Sequence, residues 1–362
     1  MAFGLFKKKR KEESSADTSA RYHHLTIESV VPIAKDAVNL IFNKPESDFV
    51  YEPGQFITII QVVNGKKIRR AYSLNSTPFL DENPSVTVKR VEGGAMSNHI
   101  NDHYDAGEVV QVMEPMGLFT TSYDPAALRS VVCFAGGSGI TPLYSLMRSM
   151  LVKEPNTIVS LVYCNRSAEY IIFKDELNEL KSEYADRFNV IHILEEGPSD
   201  YSGRPSAAMI QEVAGELDIN GDSEVFICGP QPMMDVVITG LKEASVDESQ
   251  IRMESFEAGK TSPKEIIADE QSDALVTVLL DGESYDFTVK PGRRILETGL
   301  EEGLDMPYSC QSGLCTACRG KVLEGEVTTE GAEGLTQSEL DEGYILCCVG
   351  MPKTDQVKIE VG

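Results

Sequence analysis

The cysteines of the last quarter constrain this chain more than any other feature. Cys310, Cys315 and Cys318 form a C-x4-C-x2-C run, and an adjacent pair, Cys347 and Cys348, follows about thirty residues on. Three closely spaced thiols and a fourth further along match the ligand spacing of a [2Fe–2S] cluster. Two irons and two sulfides need four thiolates converging from a loop of little bulk. Gly313 lets the backbone turn, and the small residues Ser312, Thr316 and Ala317 let amides approach the sulfurs. Such N–H···S bonds stabilise the reduced, more negative cluster. On spacing alone the fourth ligand is Cys347 or Cys348. A zinc knot on Cys315-x2-Cys318 is the rival, but zinc sites are normally built from paired motifs.

The other cysteines are Cys133, Cys164 and Cys228, giving eight in all. An even count can mean disulfides, but in a long chain without a secretory signal, metal or catalytic use is expected instead. Met1–Arg10 lacks an apolar stretch before any cleavage site, and no run of 18 apolar residues is long enough to span a membrane. A cytoplasmic protein is therefore expected. The formal net charge of −24 argues against a nucleic-acid partner and suits docking on basic surfaces.

A length of 362 residues predicts two or three domains. Residues 1–20 pass from a basic run, Lys7–Lys11, to Glu and Ser with no apolar period, and read as a disordered basic tail. Residues 21–124 carry short apolar runs at 25–31, 37–42, 56–63 and 86–91, broken by Pro53-Gly54 and Asn64-Gly65; this predicts a β-barrel or a β-sandwich. Residues 125–257 alternate strand and helix, with buried strands at 131–135, 158–163, 190–194 and 225–228, which predicts an α/β domain on a parallel sheet. A linker is expected at 258–272. In residues 273–362, strands at 274–280 and 284–289 flank Asp281-Gly282, and a helix follows with Ile295, Leu296, Leu300 and Leu304 on its apolar side.

Four motifs outside the cluster cysteines carry chemistry. A strand runs into Gly136-Gly137-Ser138-Gly139-Ile140-Thr141-Pro142, where a glycine turn and a helix start form an anion site for a pyrophosphate. Pro142 stands where the usual dinucleotide fingerprint has its third glycine, so the ordinary Rossmann reading fails, although proline suits a first helical turn. A second strand ends in Cys228-Gly229-Pro230-Gln231-Pro232, at the sheet edge where α/β folds bind ligands. In the β region, Arg70-Ala71-Tyr72-Ser73 supplies a cation, an aromatic face and a hydroxyl suited to a flavin. The later run Lys89-Arg90-Val91-Glu92-Gly93-Gly94-Ala95-Met96-Ser97 offers backbone N–H groups to a diphosphate.

Together these motifs resemble the ferredoxin–NADP reductase superfamily fused to a plant-type ferredoxin, over about residues 22–362. The order flavin, nicotinamide, ferredoxin is similar to the reductase components of bacterial oxygenases, most of all that of phenylacetyl-CoA epoxidase. The resemblance implies a multidomain fold: a flavin-binding antiparallel β-barrel, an α/β nicotinamide-binding domain and a β-grasp ferredoxin domain of α+β class. It implies FAD rather than FMN, because the Gly94–Ser97 turn looks like that of FAD-binding relatives. Arg70, Tyr72 and Ser73 would hold the isoalloxazine and phosphate region, Lys89 and Val91 would give backbone contacts, and Gly94, Met96 and Ser97 would hold the pyrophosphate. Gly136, Gly137, Gly139, Gly229 and Pro230 would form the nicotinamide loops. Thr141 would sit near both rings, Cys228 near the nicotinamide, and Glu254 and Phe256 would close the flavin pocket. Ser73, Thr141 and Cys228 are thus the residues expected nearest the reaction. In plant-type ferredoxins the last ligand lies four residues before a proline, which here is Pro352 and selects Cys348.

The expected activity is transfer of a hydride from NAD(P)H to FAD, then of single electrons through the cluster to an oxygenase or hydroxylase. Arg166 and Ser167, after the second parallel strand, would take the 2′-phosphate of NADPH, with NADH as the alternative donor. Another acceptor, such as a deoxysugar dehydratase, or a redox-sensing role are the competing functions. Residues 273–362 hold seven basic and 17 acidic residues, Asp305 among them. The acceptor is accordingly expected to dock through a basic patch.

Overall fold

The computed structural model describes residues 22–45, 49–256 and 272–361. The expected tail, 1–20, and all of the expected linker except Ser272 lie outside them.

The first domain is built from β1 (Tyr22–Ala34), β2 (Ala37–Phe42), β3 (Phe56–Val63), β4 (Lys66–Ser73), β5 (Ser85–Lys89), α1 (Ala95–His103) and β6 (Val109–Met113). All pairings are antiparallel, in the order β4-β3-β6-β1-β2-β5. A bridge between Leu74 and Val86 joins the two ends, so the sheet closes into a barrel. Register shifts after Ile27 and Pro32 bend β1, which pairs with β6 in its first part and β2 in its second. Alternate residues point inward, among them Leu25, Ile27, Leu40, Phe42, Ile57 and Ile59.

The second domain runs β7 (Ser130–Gly136), α2 (Ile140–Lys153), β8 (Ile158–Asn165), α3 (Lys174–Glu183), β9 (Phe188–Leu194), β10 (Tyr201–Ser202), α4 (Ala207–Glu216), β11 (Ser223–Cys228), α5 (Gln231–Glu243) and β12 (Ile251–Glu254). Its sheet is parallel throughout, in the order β10-β9-β8-β7-β11-β12. β7 and β8 are buried along nearly their whole length, as a sheet with both faces covered requires.

The third domain contains β13 (Ala274–Leu280), β14 (Glu283–Val289), α6 (Ile295–Glu301), β15 (Arg319–Glu324), α7 (Gln337–Asp341), β16 (Tyr344–Leu346) and β17 (Gln356–Val361). The mixed sheet β14-β13-β17-β15-β16 packs against α6 over a core that includes Val276, Phe287, Ile295 and Ile359. Leu304, read as part of the helix, lies beyond its end. Gly303 adopts a φ of 87°, Leu304 N–H returns to the Gly299 carbonyl (3.0 Å) and Gly303 N–H to that of Leu300 (3.1 Å). This left-handed cap stops the helix and still turns Leu304 back onto the core. Among the described residues no helix is long and apolar enough to cross a membrane.

Candidate active site and cluster centre

From β7 the chain works outward through β8, β9 and β10, then returns to lay β11 on the other side of β7. The strand order therefore reverses between β7 and β11, and ligands of open α/β sheets bind in the crevice at such a reversal. The glycine loop follows β7 and Cys228-Gly229-Pro230 closes β11, so the two motifs meet there. They touch backbone to backbone: a Cβ on Gly139 would lie 2.0 Å from the Cys228 carbonyl oxygen, and one on Gly229 3.0 Å from the Gly136 Cα. A Cβ on Gly136 would come within 2.6 Å of the Met233 sulfur and 2.8 Å of Pro230. Only glycine fits this crossing.

The helix starts at the crevice are left open. α1 follows Gly94, α2 follows Gly139 and α5 follows Pro230, none with a side-chain cap or an acidic residue in its first turn. Elsewhere the starts are closed or acidic: Ser206 caps α4, Thr336 caps α7, and α3 carries Asp175 and Glu176 in its first turn. Free N–H groups at the positive end of a helix dipole favour phosphate.

A cavity of about 390 Å³ joins the barrel to the parallel-sheet domain here. β4 contributes Arg70, Tyr72 and Ser73 to its wall, and β5 and the turn after it contribute Lys89 and Val91. Gly94, Met96 and Ser97 line it from the start of α1, Ser138 and Thr141 from the second domain, and Phe256 from the end of β12. Thr141 is 2% exposed and its hydroxyl donates to the Ser138 carbonyl (3.0 Å). Lys89, expected to offer backbone only, also extends its side chain: its Nζ lies 3.2 Å from the place a Cβ on Gly137 would take. Burial lowers its pKa, with Asp36 opposing. Ser138 was legible only as loop backbone; nothing in the sequence shows that it faces the cavity.

A second cavity, about 570 Å³, adjoins the first through Arg70, Ser73 and Phe256, and is also bounded by Glu254, Cys310 and Cys315. Ser73 hydrogen-bonds Glu254, and burial, more than the nearby Cys310, pushes the Glu254 carboxyl up to about 8. Its Oε2 is buried without a partner, and such an orphaned polar atom at a cavity wall suits a hydrogen-bonding group on a bound molecule. The open helix starts and this unpartnered carboxyl fit a dinucleotide-linked aromatic group such as FAD.

Cys228 lies in register with Ala135 of β7 and Glu254 of β12. It is fully buried and lines neither cavity. Burial raises its thiol well above the ordinary range, so it stays neutral and does no nucleophilic work. Arg166 and Ser167 follow β8, one strand further out, and also line neither cavity. Arg166 is exposed and its Nε donates to Glu196 (3.3 Å).

None of the eight cysteines forms a disulfide. The Cys310 thiol meets those of Cys315 and Cys348, and Cys348 also meets Cys318. Cys310 is the acidic member: these thiols and the Ser312 N–H (3.4 Å) all favour its thiolate. Cys347 shares the domain core with Cys318 and Cys348, but its sulfur lies 3.4 Å from the place a Cβ on Gly320 of β15 would take, and burial raises its thiol well above the ordinary range. Gly313 is pinned by close approach, since a Cβ there would fall 1.8 Å from the Gly331 carbonyl oxygen. Three largely buried thiols on a tight loop, met by Cys348 from beyond β16, fit a [2Fe–2S] cluster.

Known proteins show the same three parts. Residues 24–121 match the oxidoreductase FAD-binding domain family, residues 134–238 the oxidoreductase NAD-binding domain family and residues 278–353 the 2Fe-2S iron-sulfur cluster binding domain family. The ferredoxin reductase component of 3-ketosteroid-9-alpha-monooxygenase from Rhodococcus rhodochrous is 35% identical, over 93% of this chain and 96% of that one. A component of the 1,2-phenylacetyl-CoA epoxidase of Escherichia coli K12 is 32% identical, over 94% and 97%. The solved structure of phthalate dioxygenase reductase has the same fold, with a TM-score of 0.57 at 24% identity, covering 94% of this chain and 98% of that one. The chain belongs to the family of ferredoxin reductase components, oxidoreductases that join FAD-binding, NAD-binding and [2Fe–2S] cluster-binding domains in one polypeptide.

Proposed function

We propose that this chain is the reductase component of an oxygenase, of the phenylacetyl-CoA epoxidase kind, that draws on NADPH, or NADH, and delivers single electrons to that partner. The carrying observation is the shared wall: Arg70, Ser73 and Phe256 border the flavin cavity on one side, and the space leading to Cys310 and Cys315 on the other. The names of the relatives support an oxygenase as acceptor.

FAD, when bound, supplies the exchange between a two-electron hydride and one-electron steps. The open start of α1 at Gly94, Met96 and Ser97 holds its diphosphate, with Arg70 adding positive charge. Tyr72 gives the ring an apolar face, and Lys89 at the end of β5 and Val91 in the turn after it bound it. The Ser73–Glu254 pair, neutral below about pH 8, keeps a proton at the ring's edge. Gly136, Gly137, Gly139, Gly229 and Pro230 admit the nicotinamide nucleotide, which Thr141 positions, while the buried Cys228 backs the crossing of the two loops through its carbonyl. Phe256 closes the outer side against water. Cys310, Cys315, Cys318 and Cys348 hold the cluster. The acidic ferredoxin domain docks on a basic patch of the partner, so transfer to it slows as salt rises.

The test is reconstitution: oxygen consumption that needs the nucleotide, this chain and a phenylacetyl-CoA-type oxygenase together. No coupling to any such oxygenase would defeat the reading. Arg166→Ala is expected to raise KM for NADPH about tenfold, the loss of one charge-assisted bond, and to leave KM for NADH unchanged. Equal effects on both would assign the 2′-phosphate to other residues.

A further inference from the structure

Arg69 and Arg70 are neighbours on β4 and point to opposite faces, as successive strand residues must. Arg70 lines the flavin cavity. Arg69 is 1% exposed, yet its guanidinium makes both of its side-chain hydrogen bonds to the ferredoxin domain: Nη1 to the Met306 carbonyl (2.8 Å) and Nη2 to Asp305 Oδ1 (2.9 Å). It also sits 4.9 Å from the centre of the Tyr308 ring. Lys67, two residues back on the same face, takes the other Asp305 oxygen (2.7 Å). On β3 the Thr58 hydroxyl donates to Ser309 (2.6 Å), the residue before Cys310. The segment 305–310 is thus fastened to β3 and β4 along its length, up to the first cluster thiol. Cys315 and Ala317 complete the contact against Phe56, Ile60 and Met113.

An exposed ion pair has little effect on domain geometry. Arg69 differs because it has surrendered its water and takes its partners from the other domain. Tilting the 305–310 segment while the contact stays closed would leave this desolvated guanidinium without its partners, which is strongly unfavourable. Its planar fork also fixes direction as well as distance.

We propose that Arg69 is a positioning residue for electron passage from flavin to cluster: it holds the 305–310 segment, and with it the Cys310 thiol, against the strand whose next residue lines the flavin cavity. No bond is made or broken; the residue sets distance and orientation. Asp305, which its sequence suggests is a docking charge for a partner, is by this account engaged within the chain. The inference rests on the flavin-to-cluster order proposed above.

The test uses the full chain with FAD and cluster loaded, as wild type, Arg69→Met, Arg69→Lys and Asp305→Asn. Anaerobic rapid mixing with NADPH or NADH follows flavin and cluster bleaching separately, and hydrogen exchange reads amide protection over 305–310. Arg69→Met removes the charge but keeps most of the bulk. Its flavin should bleach at the wild-type rate, its cluster about tenfold or more slowly, and protection over 305–310 should fall. Arg69→Lys should recover part of both losses. Asp305→Asn, at an exposed position, should slow the cluster by a smaller factor and decides the matter if Arg69→Met does not fold. Wild-type cluster rates in both Arg69→Met and Asp305→Asn would overturn the inference, as would unchanged protection, or a flavin step slowed as much as the cluster step. If nucleotide fails to bleach the wild-type flavin, the functional reading fails instead, and the exchange measurement still judges the clamp.

Discussion

The barrel makes two interfaces, and they are built differently. Against the nicotinamide domain its contacts are mostly enclosed, the surface pair Lys35–Glu169 aside. Thr77 and Ser149 share a hydrogen bond (2.7 Å), Ser145 donates to the Ser76 carbonyl (2.6 Å), and Phe119 meets Phe226 edge-on at 5.6 Å. Arg148 grips Asp81 with two bonds, 2.7 and 2.9 Å, the pair being only 18% and 26% exposed. Against the ferredoxin domain the apolar contact is five buried residues, and the ionic partner, Asp305, is 61% exposed. The difference follows the chemistry. Hydride transfer needs two rings held at fixed distance and angle, and small misplacement is heavily penalised. An electron needs proximity, which a smaller contact can supply.

Breaking either side should show this asymmetry. The largest effect is expected at the cluster: Cys348→Ser should lose the cluster's iron and visible absorption while nucleotide still bleaches the flavin, whereas Cys347→Ala should keep both. Iron retained in Cys348→Ser and lost in Cys347→Ala would reverse the ligand assignment. Next is Gly139→Ala. Its Cβ would meet the Cys228 carbonyl at 2.0 Å, so the crossing of the two loops must open. Hydride transfer, measured as flavin bleaching, should fall about a hundredfold with cluster content unchanged.

The interfaces themselves come third. Arg148→Ala leaves Asp81 without its ion-pair partner in a half-enclosed site and should destabilise by about 2 kcal/mol, allowing for its residual exposure. Lys67→Ala removes an ion pair exposed at both ends and should cost under about 1 kcal/mol. Chemical denaturation of the two variants compares them directly; equal losses would erase the distinction.

A subtler effect is expected in pH dependence. Glu254 titrates near 8 when folded, against an ordinary 4.5, chiefly because it is buried. The folded chain therefore binds this proton more tightly than the unfolded one. Its contribution is full below pH 4.5 and is lost as pH rises to about 8. In flavin-free protein, the melting temperature should decline over that window more steeply in wild type than in Glu254→Gln. Parallel curves would show that the carboxyl is not desolvated.

Much of the architecture is written in local sequence. Asn64-Gly65 and Asp281-Gly282 mark the turns where they are found, between β3 and β4 and between β13 and β14, because two left-handed residues in sequence suit few other structures. Unbroken apolar runs give the parallel strands, and the cysteine spacing gives the cluster loop. β12 escaped notice, since Ile251–Glu254 is only partly buried and lacks a full apolar run. Leu304 was misread because helical spacing continues past the glycine that ends the helix. The choice between Cys347 and Cys348 needed a family resemblance, as both thiols are buried and adjacent. The pairing of Arg69 with Asp305 joins residues 236 apart through one buried and one exposed charge, and no sequence pattern announces it.

The central claim is that one chain carries electrons from nucleotide to flavin to cluster. Anaerobic titration of the purified protein with NADPH, and separately NADH, while recording the flavin and iron–sulfur absorbance, tests it most directly. Flavin bleaching followed by cluster bleaching, with at least one nucleotide and no added mediator, is the expected result. A flavin that neither nucleotide reduces, or a cluster that stays oxidised beside a fully reduced flavin under excess nucleotide, would contradict it.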